Sequence, residues 1–286
     1  MEEFKRVEYL LPGGNDIVTA APIAMLARSL ILFASVAVAL VVARIVNGGV
    51  SHADRPIIRI TIIALVLSRL AFVAEYLPAY RADWISVFDI RDLGFAPRPG
   101  IVAGVALLSW VLVRRSHLRR AMALAAVAGL ASWGAASAAV DTPTTTQTIP
   151  RIALANLHGN VNALEKGNGK PQVVNLWASW CGPCRAEMPV FEEAQKRYSG
   201  LNIVLVNQGE SSVAISDFLT AQGLNDDNVM TDPNFALARA VRASVFPTTL
   251  FYDAQGNLLT MHAGAFSRAT LQHALEALYP DRVAAP

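Results

Sequence analysis

Cysteine is nearly absent from this chain: there are two in 286 residues, and both belong to one Cys-x-x-Cys, Cys181 and Cys184. A framework of structural disulfides is thereby excluded. So is a relay of thiols along the chain, because no cysteine precedes position 181. Charge is also scarce, at 16% Asp, Glu, Lys and Arg with a formal net charge of +2. Too little positive charge is present to neutralise a phosphate backbone, so nucleic acid is excluded as a partner. A structural zinc site wants four ligands, and the sequence has neither a second Cys-x-x-Cys nor a spaced histidine pair. His158 and His262 stand alone and read as surface or turn residues. No metal and no bound cofactor is expected, the Cys181–Cys184 pair itself being the redox group.

Long apolar runs, by contrast, are plentiful, and they are unevenly placed. The mean hydropathy of +0.38 is too high for an ordinary soluble protein, and the excess lies before residue 140. Four stretches qualify as spans: Ile23–Val46, Ile57–Leu77, Gly100–Val113 and Ala121–Val140. A helix crossing the hydrocarbon core needs about 20 residues, so the third must borrow from Phe95–Pro99 or Arg114 and is taken as 98–114. The expected organisation is a helical membrane domain over 1–140, a linker over 141–150 and a water-soluble domain over 151–286.

Basic residues in short loops set orientation. Arg114, Arg115, Arg119 and Arg120 lie between the third and fourth spans, and Arg44, Arg55 and Arg59 flank the first connection. Both places are expected in the cytoplasm. The N-terminal tail, with Glu2, Glu3, Glu8 and Asp16 against Lys5 and Arg6, suits the outside. Four spans then put everything after Val140 outside the cytoplasm, at the bacterial inner membrane and on its periplasmic side. The basic start and the small residues Ala136, Ala138 and Ala139 of the fourth span also fit an internal signal sequence, cleaved near Ala139, although close helix packing explains an Ala-rich span equally well. Arg28 and Arg69 fall within or near apolar runs. They either snorkel or pair, Arg69 with Glu75 or a backbone carbonyl, or they face a polar cavity at the lipid headgroups.

The stretch from "IAMLARSLILFASVAVALVVARI" to "DIRDLGFAPRPGIVAGVALLSWVLVRR" resembles the first part of prolipoprotein diacylglyceryl transferases over roughly residues 17–120. Arg69 in "SRLAFVAEY" falls where that family has an arginine before a tyrosine-rich span end. The family's His-Gly-Gly should fall near "APRPGIVAG", where this chain has Pro97, Arg98, Pro99 and Gly100, and the family's later spans are missing. The resemblance therefore implies a degenerate relative reused as an anchor or docking platform. Diacylglyceryl transfer is the alternative.

"DTPTTTQTIP" (141–150) is an extended polar linker. After it, "QVVNLWAS", "NIVLVN", "TTLFYD" and "LLTMHAG" read as strands. "PCRAEMPVFEEAQKRYS", "SVAISDFLTAQG", "NFALARAVRA" and "SRATLQHALEALY" have helical spacing, and "DAQGN" turns a hairpin. Strands alternating with helices imply an α/β domain with a central mixed sheet. The Cys-x-x-Cys follows a buried strand and opens a helix. There the unpaired N–H groups and the helix dipole favour a thiolate at Cys181. Pro183 fits an early helical position. Cys184, one turn on, should be more buried and act as the resolving thiol.

These residues carry a second resemblance. "NLWASWCGPCRAEMPVF" with "VFPTTLFYDAQGN" is similar to thioredoxins of the TlpA/ResA/CcmG-like, extracytoplasmic branch over about residues 150–280. The resemblance implies a thioredoxin fold and thiol–disulfide exchange with Cys181 as nucleophile. Trp177 and Trp180 match the family's aromatic residues, and Pro189 its helix-kinking proline. Pro247 matches the proline that is cis in this fold. Trp180, Gly182, Pro183, Phe246 and Pro247 are then expected to border the substrate groove. Where thioredoxin has a buried aspartate this chain has Asn175, and Glu187, found in the TlpA-like branch, becomes a candidate for proton transfer or pKa tuning. Its alternative is a surface glutamate in the first helical turns.

The expected function is a membrane-tethered reductase of disulfides in client proteins. Its electrons would come from a membrane donor of the DsbD/CcdA type, because the chain has no second thiol pair. An oxidase or isomerase would use the same cysteines. A non-enzymatic scaffold is a third reading.

Overall fold

The computed structural model describes residues 21–48, 54–81, 84–89, 92, 94–140, 148–164 and 169–283, with the side chains of 21–29, Val140, Asn162 and Ala163 left aside. The charged N-terminal tail, most of the Thr/Pro linker and the side chain of Arg28 lie outside the described residues.

The N-terminal half is helical: α1 (Ala21–Val46), α2 (Asp54–Glu75), the single turn α3 (Leu77–Tyr80), α4 (Pro97–Arg114) and α5 (Arg119–Val140), with 3-10 turns at Trp84–Phe88 and Ser116–Leu118. By length and composition, three described stretches are long and apolar enough to cross a membrane: Asp54–Glu75, Pro97–Arg114 and Ser116–Ala139. The apolar part of α1 with described side chains is the shorter Leu30–Val46. α4 reaches 18 residues because Pro97 and Pro99 start a helix without losing any bond in its first turn.

Small residues let these helices approach. A Cβ on Gly100 would lie 2.9 Å from the Cβ of Ser68 on α2, and one on Gly129 of α5 would lie 3.3 Å from Ala39 of α1. At one end of the bundle, Ala43, Ile57, Val111, Leu118, Ala121, Met122 and Ala125 form a small core, and the Arg44–Asp54 ion pair at 2.7 Å clips α1 to α2. Arg69 does not pair with Glu75. Its guanidinium is wrapped by the connection that follows α2: it pairs with Asp92 at 2.9 Å and donates to the carbonyls of Gly94, Ser86, Val87 and Asp89. A buried cation needs this many acceptors, and the apolar run of α2 supplies none.

The C-terminal half is a seven-stranded mixed sheet in the order β2-β1-β5-β4-β3-β6-β7. Its strands are β1 (Ala153–Asn156), β2 (Val161–Ala163), β3 (Gln172–Trp177), β4 (Asn202–Gln208), β5 (Val229–Asp232), β6 (Thr248–Tyr252) and β7 (Leu258–Ala263). Its helices are α6 (Gly182–Arg197), α7 (Ser212–Gln222), α8 (Ala236–Ala240), α9 (Arg268–Leu278) and α10 (Pro280–Val283). β3, β4 and β5 run parallel, as helical crossovers require, and the remaining pairs are antiparallel. Side chains alternate across β3. Val173 and Trp177 join one core with Met188 and Phe191 of α6, Ile215 of α7 and Leu275 of α9. Val174 and Leu176 join another under α8. The "DAQGN" turn lies between β6 and β7, with Asp253 accepting from the backbone N–H groups of Gln255 and Asn257. β1, β2 and β5 were not expected from the sequence: they are three or four residues long, and β1 and β2 lie at one edge of the sheet.

Candidate functional site

The reactive pair sits where β3 ends and α6 begins. Cys181 is the N-cap residue of α6, with extended backbone, and its sulfur accepts the N–H of Cys184 at 3.2 Å. The two cysteines form a disulfide across a Cα–Cα distance of 5.2 Å. Cys184 is fully buried, whereas Cys181 lies just under the surface and its neighbours Gly182 and Pro183 are exposed. Of the two sulfurs, that of Cys181 is thus the nearer to solvent. Pro183 lies within the first two residues of α6, where its missing N–H costs nothing. Pro189 sits inside the same helix.

The turn that presents Cys181 is tied from behind by Glu210, a residue the sequence reading did not single out. Its carboxylate accepts from the Ser179 N–H at 2.7 Å, from the Ser179 hydroxyl, and from the Asn207 side-chain amide at 2.7 Å. Nothing in the sequence pattern distinguishes Glu210 from a solvated loop acid.

An aromatic wall stands beside the disulfide. Trp180, 66% exposed, meets Phe246 edge-on at 6.2 Å, and Phe246 stacks on Phe235 at 6.4 Å. The Phe246–Pro247 peptide is cis. Phe235 was also missed. It adopts a left-handed backbone (φ 55°) as the N-cap of α8, and its ring lies over Gly209, where a Cβ would come within 2.2 Å of it. Trp177, unlike Trp180, faces inward: it is fully buried and packs against Phe218.

Beneath Cys184 lies a buried acid. Glu187 is three residues along α6 from Cys184, on the same helical face, and it too is fully buried. This settles its position against the surface alternative. Glu187 Oε1 accepts from the Asn175 amide at 2.8 Å, and Oε2 accepts from the Phe266 N–H at 3.0 Å. The Asn175 amide also donates to the Thr249 hydroxyl at 3.1 Å. Burial raises the Glu187 carboxyl to about 8, against the two hydrogen bonds that favour its charged form. A carboxyl poised there can hold or release a proton near neutral pH.

His262 corrects another expectation. It lies on β7 in register with Thr249 and stacks on Phe266 at 4.1 Å, so it is neither a surface nor a turn residue. Burial pushes its imidazole down to about 4. His158 does lie in an exposed turn, 3.7 Å from Asp226. Among the described residues no group of His, Cys, Asp and Glu could hold a metal ion.

Comparison with known proteins places this geometry. Residues 144–278 match the sequence profile of the Redoxin family. The chain is 31% identical over 146 residues to the thioredoxin-like protein YneN of Bacillus subtilis, covering 46% of this chain and 78% of that one. It is 29% identical over 135 residues to the thiol-disulfide oxidoreductase ResA of Geobacillus kaustophilus, covering 46% and 77%. Among solved structures, a secreted thiol-disulfide isomerase of Corynebacterium glutamicum matches with 25% identity and a TM-score of 0.42, over 49% of this chain and 87% of that one. Through its C-terminal half, then, the chain belongs to the thioredoxin-like Redoxin family and is a ResA-like thiol–disulfide oxidoreductase.

Proposed function

We propose that this chain is a membrane-tethered reductase of disulfides in extracytoplasmic client proteins. The observation that carries the chemistry is that Cys184 is fully buried while Cys181, at 6% exposure, lies nearer the surface beside exposed Gly182 and Pro183 at the start of α6. In the reduced enzyme, the Cys181 thiolate attacks one client sulfur. The client's S–S bond breaks and a mixed disulfide forms, while the other client sulfur leaves as a thiolate and takes up a proton. Cys184 then loses its proton, with Glu187 as the nearby buried acceptor, and attacks Cys181. The client leaves with both its sulfurs reduced and the Cys181–Cys184 disulfide is made. Trp180, Gly182, Pro183, Phe246 and Pro247 border the groove that would hold the client backbone as an extended strand.

Residues 1–140 serve as the membrane domain, 141–150 as linker and 151–286 as the redox domain. The arginines between α4 and α5 and around the α1–α2 connection favour a cytoplasmic location for those loops. Four crossings then carry the redox domain to the periplasmic side. Because the chain's two cysteines form the only dithiol, each turnover leaves it oxidised. A second membrane protein with its own dithiol, of the DsbD/CcdA type, must reduce it again. The membrane half is an anchor and docking platform in this reading, without diacylglyceryl transfer.

The test is the reduction potential of the full chain in detergent, equilibrated with dithiothreitol or glutathione buffers. With only two cysteines present, the count of free thiols reads the site directly. A value near about −270 mV supports a reductase, and one near about −120 mV makes the chain a disulfide donor instead.

A further inference from the structure

The membrane half touches the redox domain through charged and aromatic groups rather than through a simple tether. The junction of α2 and α3 packs on α9: Phe72 of α2, Tyr76 between the helices and Tyr80 of α3 form a buried cluster with Ala269. The rings of Phe72 and Tyr76 both meet His273 edge-on at 5.6 Å. The Tyr76 hydroxyl lies 2.9 Å from His273 Nδ1 and donates to Glu276 at 3.1 Å. At the start of α9, the Ser267 hydroxyl donates to Asp92 Oδ2 at 3.0 Å.

Asp92 is built to receive that bond. Its Oδ1 is held by Arg69 at 2.9 Å and by the Gly94 N–H at 3.0 Å, and its side chain is 6% exposed. Arg69 rises from α2, so the carboxylate is fixed to the helical bundle. Gly94 allows this closeness, since a Cβ there would lie 2.6 Å from Arg69 Nη1. A buried arginine in an apolar helix is costly, and here it holds the acid that meets the redox domain. The contact also respects membrane sidedness. If α1, α2, α4 and α5 each cross once, the end of α2 and everything after α5 share one side, whichever side that is.

Ser267 is where the contact reaches the chemistry. Its oxygen caps α9 by accepting the Thr270 N–H at 3.2 Å, which leaves the hydroxyl hydrogen for Asp92. The residue just before it is Phe266, whose N–H is one of the two donors to Glu187. The path from bundle to acid is therefore Arg69, Asp92, Ser267, Phe266 N–H, Glu187, every link a hydrogen bond or an adjacent peptide.

We propose that the membrane half is part of the redox device: Asp92, anchored by Arg69, is a positioning residue that fixes the Ser267 cap and thereby holds the Phe266 N–H on Glu187. The docked arrangement leaves Trp180, Gly182 and Pro183 exposed, so docking tunes the dithiol without covering it. This rests on the role given to Glu187 in the proposed chemistry.

The test uses the full chain in detergent, comparing wild type with Asp92→Asn and Ser267→Asp. Aspartate is as good an N-cap as serine, so Ser267→Asp keeps α9 capped. It removes the donor, however, and sets a second carboxylate against Asp92. Two quantities are read: hydrogen exchange of the α9 amides, and the dithiol–disulfide equilibrium constant against glutathione. Both variants are expected to speed α9 exchange and to shift the constant at least about threefold, roughly 14 mV at about 30 mV per tenfold. In a Glu187→Gln background the shift should vanish. Unchanged exchange in Ser267→Asp would mean there is no docking. Faster exchange with an unchanged constant would reduce the contact to a tether, and a shift that persists in the Glu187→Gln background would remove Glu187 from the path. Any of these overturns the proposal. A Glu187→Gln chain whose own constant equals wild type would instead remove the role of Glu187 in the chemistry, and the proposal with it.

Discussion

Asn175 donates its side-chain amide to Glu187 at 2.8 Å, joining the middle of β3 to the face of α6 directly behind Cys184. The middle of β3 thus carries a neutral donor, and the acid it meets stands on the helix. An amide presents a hydrogen to the carboxylate where an aspartate would repel it. The pair together keeps one titratable group, not two, in the core beneath the disulfide.

That group should be visible in stability against pH. Glu187 is raised to about 8 in the fold from 4.5, so between those values the folded chain holds a proton that the unfolded chain has lost. Its contribution is complete below about 4.5 and declines as pH rises, with a slope of about 1.4 kcal/mol per unit, until it is gone above about 8. His262, lowered to about 4 from 6.5, acts oppositely: the unfolded chain takes the extra proton, so stability rises with pH from 4 to 6.5. The two offset each other between 4.5 and 6.5, and only the decline remains from there to about 8. Unfolding of the redox domain, followed by tryptophan fluorescence in urea at a series of pH values, should show that decline in wild type. Glu187→Gln should abolish it, and a decline that survives would mean Glu187 is not the titrating group.

How much of this could be read beforehand follows from where the information lies. The Cys-x-x-Cys after an apolar strand is local, and so are Pro183 and the alternation of β3. The fold and the reactive pair were therefore legible. Glu187 was visible as a residue but not as a buried one, because its burial depends on Phe266 arriving from 79 residues away. Phe235 and Glu210 carried no signal, since each acts through a partner the chain brings close only on folding. Arg69 was conspicuous, yet its partner Asp92 lies 23 residues on, in a connection with no periodicity. His262 was placed within a strand segment, but its burial was not legible, because that depends on Phe266 stacking on it.

Removing one cysteine at a time should separate the two roles. Cys181→Ser is expected to abolish exchange with a disulfide client, because the remaining thiol at Cys184 is fully buried. Cys184→Ser should still react but stall, accumulating a mixed disulfide with the client that non-reducing electrophoresis detects. Accumulation in Cys181→Ser and not in Cys184→Ser would reverse the assignment.

The aromatic wall depends on Gly209. Substitution to Ala would set a methyl 2.2 Å from Phe235 Cζ at a backbone φ of +80°, so the ring must leave its stack on Phe246. A loss of about 1–3 kcal/mol in stability is expected. The more telling result is a split in activity. Oxidation of the reduced site by a small disulfide such as oxidised glutathione should keep its rate, while reaction with a protein client should slow through a higher KM. An equal effect on both substrates would mean that the wall supports the cysteines rather than the client.

Glu210 provides the sharpest test of how the reactive turn is held. All the groups it meets are donors: the Ser179 N–H, the Ser179 hydroxyl and the Asn207 amide. Oε2 takes both N–H donors and Oε1 the Ser179 hydroxyl. Glu210→Met keeps the length and offers none of them an oxygen acceptor. Each hydrogen bond to a charged group contributes about 1.5–3 kcal/mol. The variant should therefore lose about 2 kcal/mol of stability despite its similar size. Since the turn from Ala178 closes with the Cys181 N–H donating to the Ala178 carbonyl at 3.2 Å, freeing Ser179 also loosens the sulfur. Alkylation of reduced Cys181 by iodoacetamide should lose its single rate and become heterogeneous. A Glu210→Met chain with wild-type stability and a single wild-type alkylation rate would show that the turn is held by the disulfide helix alone.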